Sequence, residues 1–310
     1  MPTKIFGHKA PDTDTICSAV SYAWFLNQKD IDAKAYRLGD LNKETQFVLE
    51  NFNVPSPDLL GHLEEKDKVV IVDTNNPEEL PDDLQKAEII QVIDHHKLTG
   101  GIKTNYPIPV IIKPLASTAT IIWKHIKHSG IEIDLANAGL LLAGIISDTL
   151  NLTSPTTTEK DRSAVKELNE IVKLDINEFA GKMFEAKGDL TGMSPRQIVL
   201  VDSKIFEFGT KKVRISVLET TKPDNALNMQ SDLEKDLQEL KLKENLDFAF
   251  FFAVDILNSR AVLISGTNEE NNLAEEAFNA KFENGRIMLP GVVSRKKQIV
   301  PVLQTVIEKL

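Results

Sequence analysis

The chain lacks several features that would assign a protein to a class at once. Its 310 residues include a single cysteine, Cys17, so no disulfide can form within the chain, which suits a reducing compartment. No apolar signal segment follows Met1, and no apolar run approaches the roughly 18 residues that a membrane helix needs. Internal repeats and low-complexity tracts are also absent. We therefore expect a soluble cytoplasmic protein without a membrane partner.

Positive charge is outnumbered by negative charge. The chain has 36 Lys and Arg against 46 Asp and Glu, a formal net charge of −10. Binding to nucleic-acid backbone depends on neutralising phosphates with Lys and Arg, and base stacking needs aromatic platforms that are not evident in a chain with 6% aromatic residues. We expect no nucleic-acid partner, although a local basic patch stays compatible with a small anion.

The rest of the composition is that of a globular protein. Hydrophobic residues make up 42% and charged residues 26%, and 310 residues exceed the size at which one core usually keeps growing. Two domains are the expectation.

Apolar strand-like runs alternate with helical periods in the first part of the chain, which predicts an α/β domain. Continuous Val and Ile runs are typical of a mainly parallel sheet with helices on both faces. Strands are predicted near residues 4–7, 33–38, 68–73, 88–94 and 110–113, and helices at 18–26, 43–52 and, briefly, 81–86. A helical appendix is predicted at 119–128, 135–150, 159–172 and 177–187.

Gly, Asp, Thr, Ser and Pro gather at residues 188–195, which predicts a linker. We therefore divide the chain into a first domain at 1–187 and a smaller C-terminal α/β domain with a mixed sheet at 196–310. Predicted strands of the second domain are 198–206, 213–219, 248–256 and 261–265, and predicted helices are 228–241 and 298–310.

Potential metal ligands recur where predicted strands of the first domain end. They are His8, Asp12, Asp14, Asp73, Asp94, His95, His96 and, in an apolar helical stretch, Asp148. Each has a plainer interpretation: Asp73 and Asp94 as helix N-caps, His8 as a core histidine, and Asp148 as a cap or half of an ion pair. Their coincidence at one sheet edge favours a metal site, and mixed His and Asp ligands suit Mn²⁺, Co²⁺ or Zn²⁺.

A basic cluster, Ser294-Arg295-Lys296-Lys297, precedes the last predicted helix, and Lys204 lies in a predicted strand. A basic run at a helix start opposes the helix dipole, so helix stability does not explain it. Arg and Lys side chains in such a cluster favour a clamp that binds an anion. We interpret Lys297 as a solvated surface charge outside this clamp.

Together these motifs resemble a known family. His8-x3-Asp12-x-Asp14, Asp73 and Asp94-His95-His96 resemble the DHH phosphoesterase superfamily. The Ser-Arg-Lys-Lys segment, Lys204 and the overall length resemble its branch of manganese-dependent family II inorganic pyrophosphatases.

The resemblance implies hydrolysis of pyrophosphate to two orthophosphates by a metal-bridged hydroxide in a cleft between the domains. It implies two Mn²⁺ or Co²⁺ ions per subunit, a possible additional Mg²⁺ with the substrate, and a homodimer through the first domain. The implied roles are as follows: Asp73 bridges the ions, His8 and Asp12 hold one, Asp14, His95 and Asp148 hold the other, His96 donates a proton, and Lys204, Arg295 and Lys296 bind phosphoryl oxygens.

Two alternatives compete with this interpretation. The first is a DHH-type phosphodiesterase acting on short oligonucleotides or cyclic dinucleotides, which is disfavoured because glycines are scattered after the linker rather than gathered beside a histidine. The second is a non-catalytic metal-dependent phosphate-binding regulator, for which a proton donor, a hydroxide source and a clamp would be superfluous.

Overall fold

A computed structural model describes residues 1–310, which form two compact units, unit 1 at Met1–Ala186 and unit 2 at Lys187–Leu310. No helix in either unit combines the length and the apolar character needed to cross a membrane. The α/β fold class predicted from the sequence is confirmed, with a parallel sheet in unit 1 and a mixed sheet in unit 2.

Unit 1 is built on a six-stranded parallel sheet with the strand order β3-β2-β1-β4-β5-β6. Its strands are β1 Thr3–Phe6, β2 Ala33–Arg37, β3 Asp58–Leu59, β4 Lys68–Val72, β5 Glu88–Asp94 and β6 Val110–Ile112. Alternate residues of β4 serve opposite faces, because Val70 and Val72 enter one hydrophobic cluster while Val69 and Ile71 enter another.

The α-helices of unit 1 contribute to the first of these clusters. They are α1 Thr13–Asn27, α2 Lys43–Asn51, α3 Thr118–Ser129, α4 Leu135–Thr149, α5 Glu159–Val172 and α6 Ile176–Lys187. The second face is covered instead by loops and 3₁₀ turns that contribute Leu63, Leu80 and Leu84. The second face therefore has a thinner cover than the first face, which is covered by helices.

Unit 2 has a five-stranded mixed sheet, in which β8 and β9 are parallel and the other pairs are antiparallel. The strands are β7 Ser203–Phe208, β8 Lys211–Thr220, β9 Phe248–Asp255, β10 Arg260–Ser265 and β11 Ile287–Pro290. The helices are α7 Pro195–Leu200, α8 Asp224–Leu227, α9 Gln230–Lys243, α10 Asn268–Phe278 and α11 Val300–Ile307.

The predicted strand at 198–206 is wrong in its first half. Ser194 caps α7 and forms a capping box with Gln197, and Pro195 occupies the first turn. This local chemistry starts a helix, so the strand begins only at Ser203. The apolar residues Ile198 and Val199 are buried by that helix.

Candidate metal centre

The order of the strands brings the predicted ligands together. β1, β4 and β5 are neighbours in the parallel sheet, so their carboxyl ends meet at the edge where open α/β sheets bind ligands. His8 and Asp12 lie in the loop after β1, and Asp14 lies in the first turn of α1. Asp73 directly follows β4, and His95 directly follows β5.

Asp73 has a backbone conformation that few non-glycine residues adopt. Its φ is 61°, in the left-handed region, which costs on the order of 1 kcal/mol. Both oxygens are held, because the Thr15 hydroxyl donates to Oδ2 at 2.5 Å and the Thr118 hydroxyl donates to Oδ1 at 2.9 Å. A strained, buried carboxylate fixed at both oxygens indicates that its orientation matters to the site.

The two oxygens of Asp73 face different histidines. Oδ2 lies 3.6 Å from Nε2 of His8, which is also 3.6 Å from Oδ2 of Asp12. Oδ1 lies 3.4 Å from Nε2 of His95, which is 3.6 Å from Oδ2 of Asp148. Two groups result, each with its possible ligand atoms within 4.8 Å: His8, Asp12 and Asp73, and Asp14, His95 and Asp148. Asp73 thus contacts both groups.

His95 is held in a tautomer suited to metal binding. Its Nδ1 lies 3.1 Å from the carbonyl oxygen of Leu115 and donates its proton there. The lone pair is then on Nε2, the atom that faces Asp73 and Asp148. A backbone carbonyl that fixes the tautomer of a ligating histidine is a common feature of metal sites.

Asp14 belongs to α1, and its buried carboxylate lies at the N-terminus of α3. It accepts hydrogen bonds from the Ser117 hydroxyl at 2.8 Å and from the backbone N–H groups of Thr118 and Ala119 at 2.7 and 2.9 Å. The positive end of a helix favours a negative charge there. Gly144 of α4 makes room for it, because a Cβ at that position would lie 2.9 Å from Oδ1 of Asp14.

The buried carboxylates at this edge are not paired with lysine or arginine. Burial, together with Asp73 and Asp12, raises the pKa of Asp14 well above its usual value, and burial and Asp14 do the same for the pKa of Asp148. Burial lowers the pKa of His8, but its hydrogen bonds to Asp12 and Asp73 outweigh burial and raise that pKa to about 10. No Lys or Arg forms an ion pair with Asp14, Asp73 or Asp148. Buried carboxylates need a cation, and these imidazole and carboxylate donors fit a divalent transition metal.

A second network holds His96. Its Nδ1 lies 2.9 Å from Oδ1 of Asp94, which also accepts from the His96 amide at 3.0 Å. Asn75 donates to the other Asp94 oxygen at 2.5 Å. The hydrogen bond to Asp94 raises the pKa of His96 to about 9. His96 also lies within ligand distance of Asp73 and His95, but with Nδ1 bonded to Asp94 its Nε2 is the nitrogen available to donate a proton.

Unit 2 places the predicted anion-binding residues in two segments. Arg295 begins a π-helical turn, and its Nη1 donates to the carbonyl of Asp202 at 3.0 Å and lies 2.8 Å from Oδ1 of the same residue. Lys204 lies two residues after Asp202 and is exposed on β7. Lys296 and Lys297 directly follow Arg295 and are also exposed. Arg295 and the segment that carries Lys204 are therefore in contact.

Known proteins resemble this chain along its whole length. Residues 3–145 match the N-terminal domain of the DHH family, and residues 181–306 match the DHHA2 domain. Over 300 residues the chain is 39% identical to a probable manganese-dependent inorganic pyrophosphatase of Bacillus cereus (strain AH187), covering 96% of both chains. The chain belongs to this pyrophosphatase family.

Further relatives support the same family assignment. A probable manganese-dependent inorganic pyrophosphatase of Bacillus mycoides (strain KBAB4) is 38% identical over 300 residues, with 96% of both chains covered. The crystal structure of a putative family II inorganic pyrophosphatase from Methanococcus jannaschii is 36% identical, with a TM-score of 0.74 and coverage of 98% of this chain and 99% of that one. The family resemblance inferred from the motifs is confirmed.

The N-cap interpretations of two aspartates are wrong in this pyrophosphatase family member. The short 3₁₀ helix after Asp73 is capped by Asn76, and Asp94 ends β5 and bonds to His96 and Asn75 rather than to a helix start. Asp12 does cap α1, through a 2.9 Å bond from the Thr15 amide to Oδ1, while its other oxygen faces His8.

Sequence reasoning missed the residues that hold this family member's candidate site in place. In the sequence Thr15 and Asn75 lie near the predicted ligands Asp14 and Asp73, but nothing else marks them. Thr118 has no predicted ligand near it in the sequence. Gln298 has a comparable positioning role in unit 2. Its Oε1 accepts hydrogen bonds from the amides of Val293 and Ser294 at 2.9 and 3.0 Å, which fixes the loop before Arg295. Hydroxyl and amide side chains at loop ends are the available clue to such roles.

Proposed function

We propose that the protein hydrolyses inorganic pyrophosphate to two orthophosphates. The observation that carries the proposal is the placement of Asp73, whose two oxygens face two separate groups of His and Asp side chains. Relatives named manganese-dependent inorganic pyrophosphatases over nearly the full chain support the same activity.

We assign one ion to His8, Asp12 and Asp73 and a second to Asp14, His95, Asp148 and Asp73. When bound there, two Mn²⁺ or Co²⁺ ions would supply Lewis acidity, which would lower the pKa of an attacking water and offset charge on the phosphoryl oxygens. Thr15 and Thr118 keep the Asp73 carboxylate oriented toward both groups. The Leu115 carbonyl keeps the lone pair of His95 on Nε2.

His96 is the proton donor of the proposed reaction. Water adds to one phosphorus, the bridging P–O bond breaks, and Nε2 of His96 gives its proton to the departing phosphate oxygen. Asp94 holds the imidazole through Nδ1 and stabilises its protonated form. Asn75 in turn orients the Asp94 carboxylate.

Lys204, Arg295 and Lys296 supply the positive charge that binds the phosphoryl oxygens. Since the candidate ligands belong to unit 1 and these cations to unit 2, the proposal places the substrate in a cleft between the units. An Arg fork and Lys point charges suit the tetrahedral oxygens of phosphate. An additional Mg²⁺ entering with the substrate belongs to the same proposal.

Phosphate release from pyrophosphate and p-nitrophenol release from bis(p-nitrophenyl) phosphate test the proposed function. Pyrophosphate and bis(p-nitrophenyl) phosphate are each assayed with Mn²⁺ and with Mg²⁺ alone. We expect release from pyrophosphate with Mn²⁺. Release from the diester only would contradict the proposal and favour a phosphodiesterase, and tight pyrophosphate binding without release would favour a regulator.

Asp14→Asn is expected to remove one bound ion and leave the other. Asp14 belongs to the group with His95 and Asp148, whereas the group around His8 does not contain it. Equilibrium dialysis at Mn²⁺ concentrations that just saturate both wild-type sites should give two ions per chain for the wild type and about one for the variant. Loss of both ions, or of neither, would count against two separable sites; exposed Asp30→Asn is the control and should keep both.

Asp94→Asn is expected to move the alkaline limb of the pH–rate profile to lower pH. The pKa of His96 is raised by Asp94 from its usual 6.5 to about 9, so His96 is protonated below that pH and loses its proton as pH rises through it. Without the carboxylate the pKa falls, and the protonated donor is lost at a lower pH. An alkaline limb that does not move would show that another group donates the proton.

A homodimer through unit 1 and a cytoplasmic location stay predictions of the family resemblance and the composition. Sedimentation of the full chain with and without Mn²⁺ tests the first, since a monomer under both conditions would exclude it.

A further inference from the structure

Unit 1 has a basic cavity that the proposed function does not use. It has a volume of about 530 Å³ and lies between the segment after β6, one face of α3 and the start of α5. Its basic side chains are Lys113, Lys124, His125, His128 and Lys160. In a chain with a net charge of −10, five basic side chains around one concave surface indicate a local site for an anion.

The lysines of the cavity form no direct ion pairs, although the carboxylates of Asp161 and Glu167 act on Lys124 from farther away. Lys113, Lys124 and Lys160 form no ion pair, whereas Lys127, one turn along α3 and outside the cavity, pairs with Glu167 at 2.7 Å. Burial and the nearby charge of Lys160 lower the pKa of Lys124. An anion between Lys124 and Lys160 would relieve that repulsion.

One carboxylate does line the cavity. Glu159 is 92% exposed and lies 3.5 Å from Nε of Arg162. It is therefore solvated and already has a partner, so it weakens the positive charge of the cavity without cancelling it.

The inner wall of the cavity is apolar. Pro114, Leu115 and the buried Ile121 form it, and half-buried His125 stands beside them. Burial, followed by the charges of His128 and Lys113, lowers the pKa of His125, so its imidazole is neutral near pH 7 and can contact a planar group. A cavity of this volume is within the range of small-molecule sites, which combine an apolar wall with a few polar groups.

We propose that this cavity binds a phosphomonoester with an aromatic or apolar body. The phosphate lies between Lys124 and Lys160, and the body contacts Pro114, Leu115 and Ile121. The site is distinct from the candidate metal centre, although the two share one segment: the carbonyl of Leu115 accepts from His95.

Binding of 1-naphthyl phosphate to the Mn²⁺-loaded full chain tests the proposal, with 1-naphthol and inorganic phosphate as the two halves of the ligand. We expect naphthyl phosphate to bind at least about tenfold more tightly than either half. In Lys124→Gln/Lys160→Gln, affinity for it should fall by about tenfold or more.

The control is Lys127→Gln/Lys166→Gln, which makes the same charge change on the same two helices outside the cavity. It should leave the affinity unchanged. Equal affinities in wild type and Lys124→Gln/Lys160→Gln, or an equal loss in both double variants, would overturn the proposal. Binding is read without turnover, so a chain that binds naphthyl phosphate but does not cleave pyrophosphate would contradict only the proposed function.

Discussion

Asp73→Asn is expected to lower kcat for pyrophosphate hydrolysis by about a thousandfold or more. Asn has the same size and tolerates the left-handed φ of 61°, so the backbone need not change. The amide loses the negative charge and replaces one oxygen with a donor, which must then face Thr15 and His8 or Thr118 and His95. Either orientation removes the contact with one group of ligands.

Asp30→Asn is the matched control. Asp30 is exposed and has a φ of 58°, so the same substitution is made on the same kind of backbone away from the site. Its kcat and Mn²⁺ stoichiometry should equal those of the wild type. If Asp73→Asn kept its activity and its bound Mn²⁺, the assignment of Asp73 as the shared ligand would be wrong.

Arg295→Ala is expected to lower kcat/KM by about a hundredfold. The planar guanidinium can donate two hydrogen bonds to the phosphoryl oxygens of one phosphate. Its contacts with Asp202 hold it in position. Steady-state kinetics with pyrophosphate measure the loss. Mn²⁺ binding should not change, because the ligand groups belong to unit 1.

Lys297→Ala is the control for Arg295→Ala, since Lys297 is exposed in the same basic run and has no proposed contact with substrate. Its kinetics should match the wild type. Arg295→Lys should recover only part of the activity, because an ammonium cannot replace a planar fork. Unchanged KM and turnover in Arg295→Ala would contradict the proposed role of Arg295 in binding the substrate.

The ends of regular elements could be predicted where local signals are strong. The strand at Glu88–Asp94 and the helix at Glu159–Val172 have the predicted bounds, because a Val and Ile run ends at a charged loop in the first and a Thr158 capping box opens the second. In contrast, β3 and α10 were not predicted: β3 has two residues and depends on its pairing with β2.

The candidate ligands could be named from the sequence, but the groups that orient them could not. A strand-end aspartate is visible in the sequence, whereas the hydroxyl of Thr118, 45 positions beyond Asp73, becomes relevant only when α3 packs over the sheet edge. The basic cavity is similar, because Lys124 and Lys160 come together only through the packing of α3 beside α5.

Gly144 has a consequence for protein engineering. A glycine inside a helix costs about 0.5–1 kcal/mol relative to alanine, and α4 is otherwise rich in strong helix formers. Gly144→Ala would be a natural choice for raising thermal stability, yet the added methyl group would lie 2.9 Å from the Asp14 carboxylate and 3.1 Å from Cβ of Ala119. At this position the stability of the helix and the integrity of the candidate metal centre are in direct competition. Residues 137–147 of α4 are all buried, so stabilising substitutions in unit 1 should be sought outside this helix.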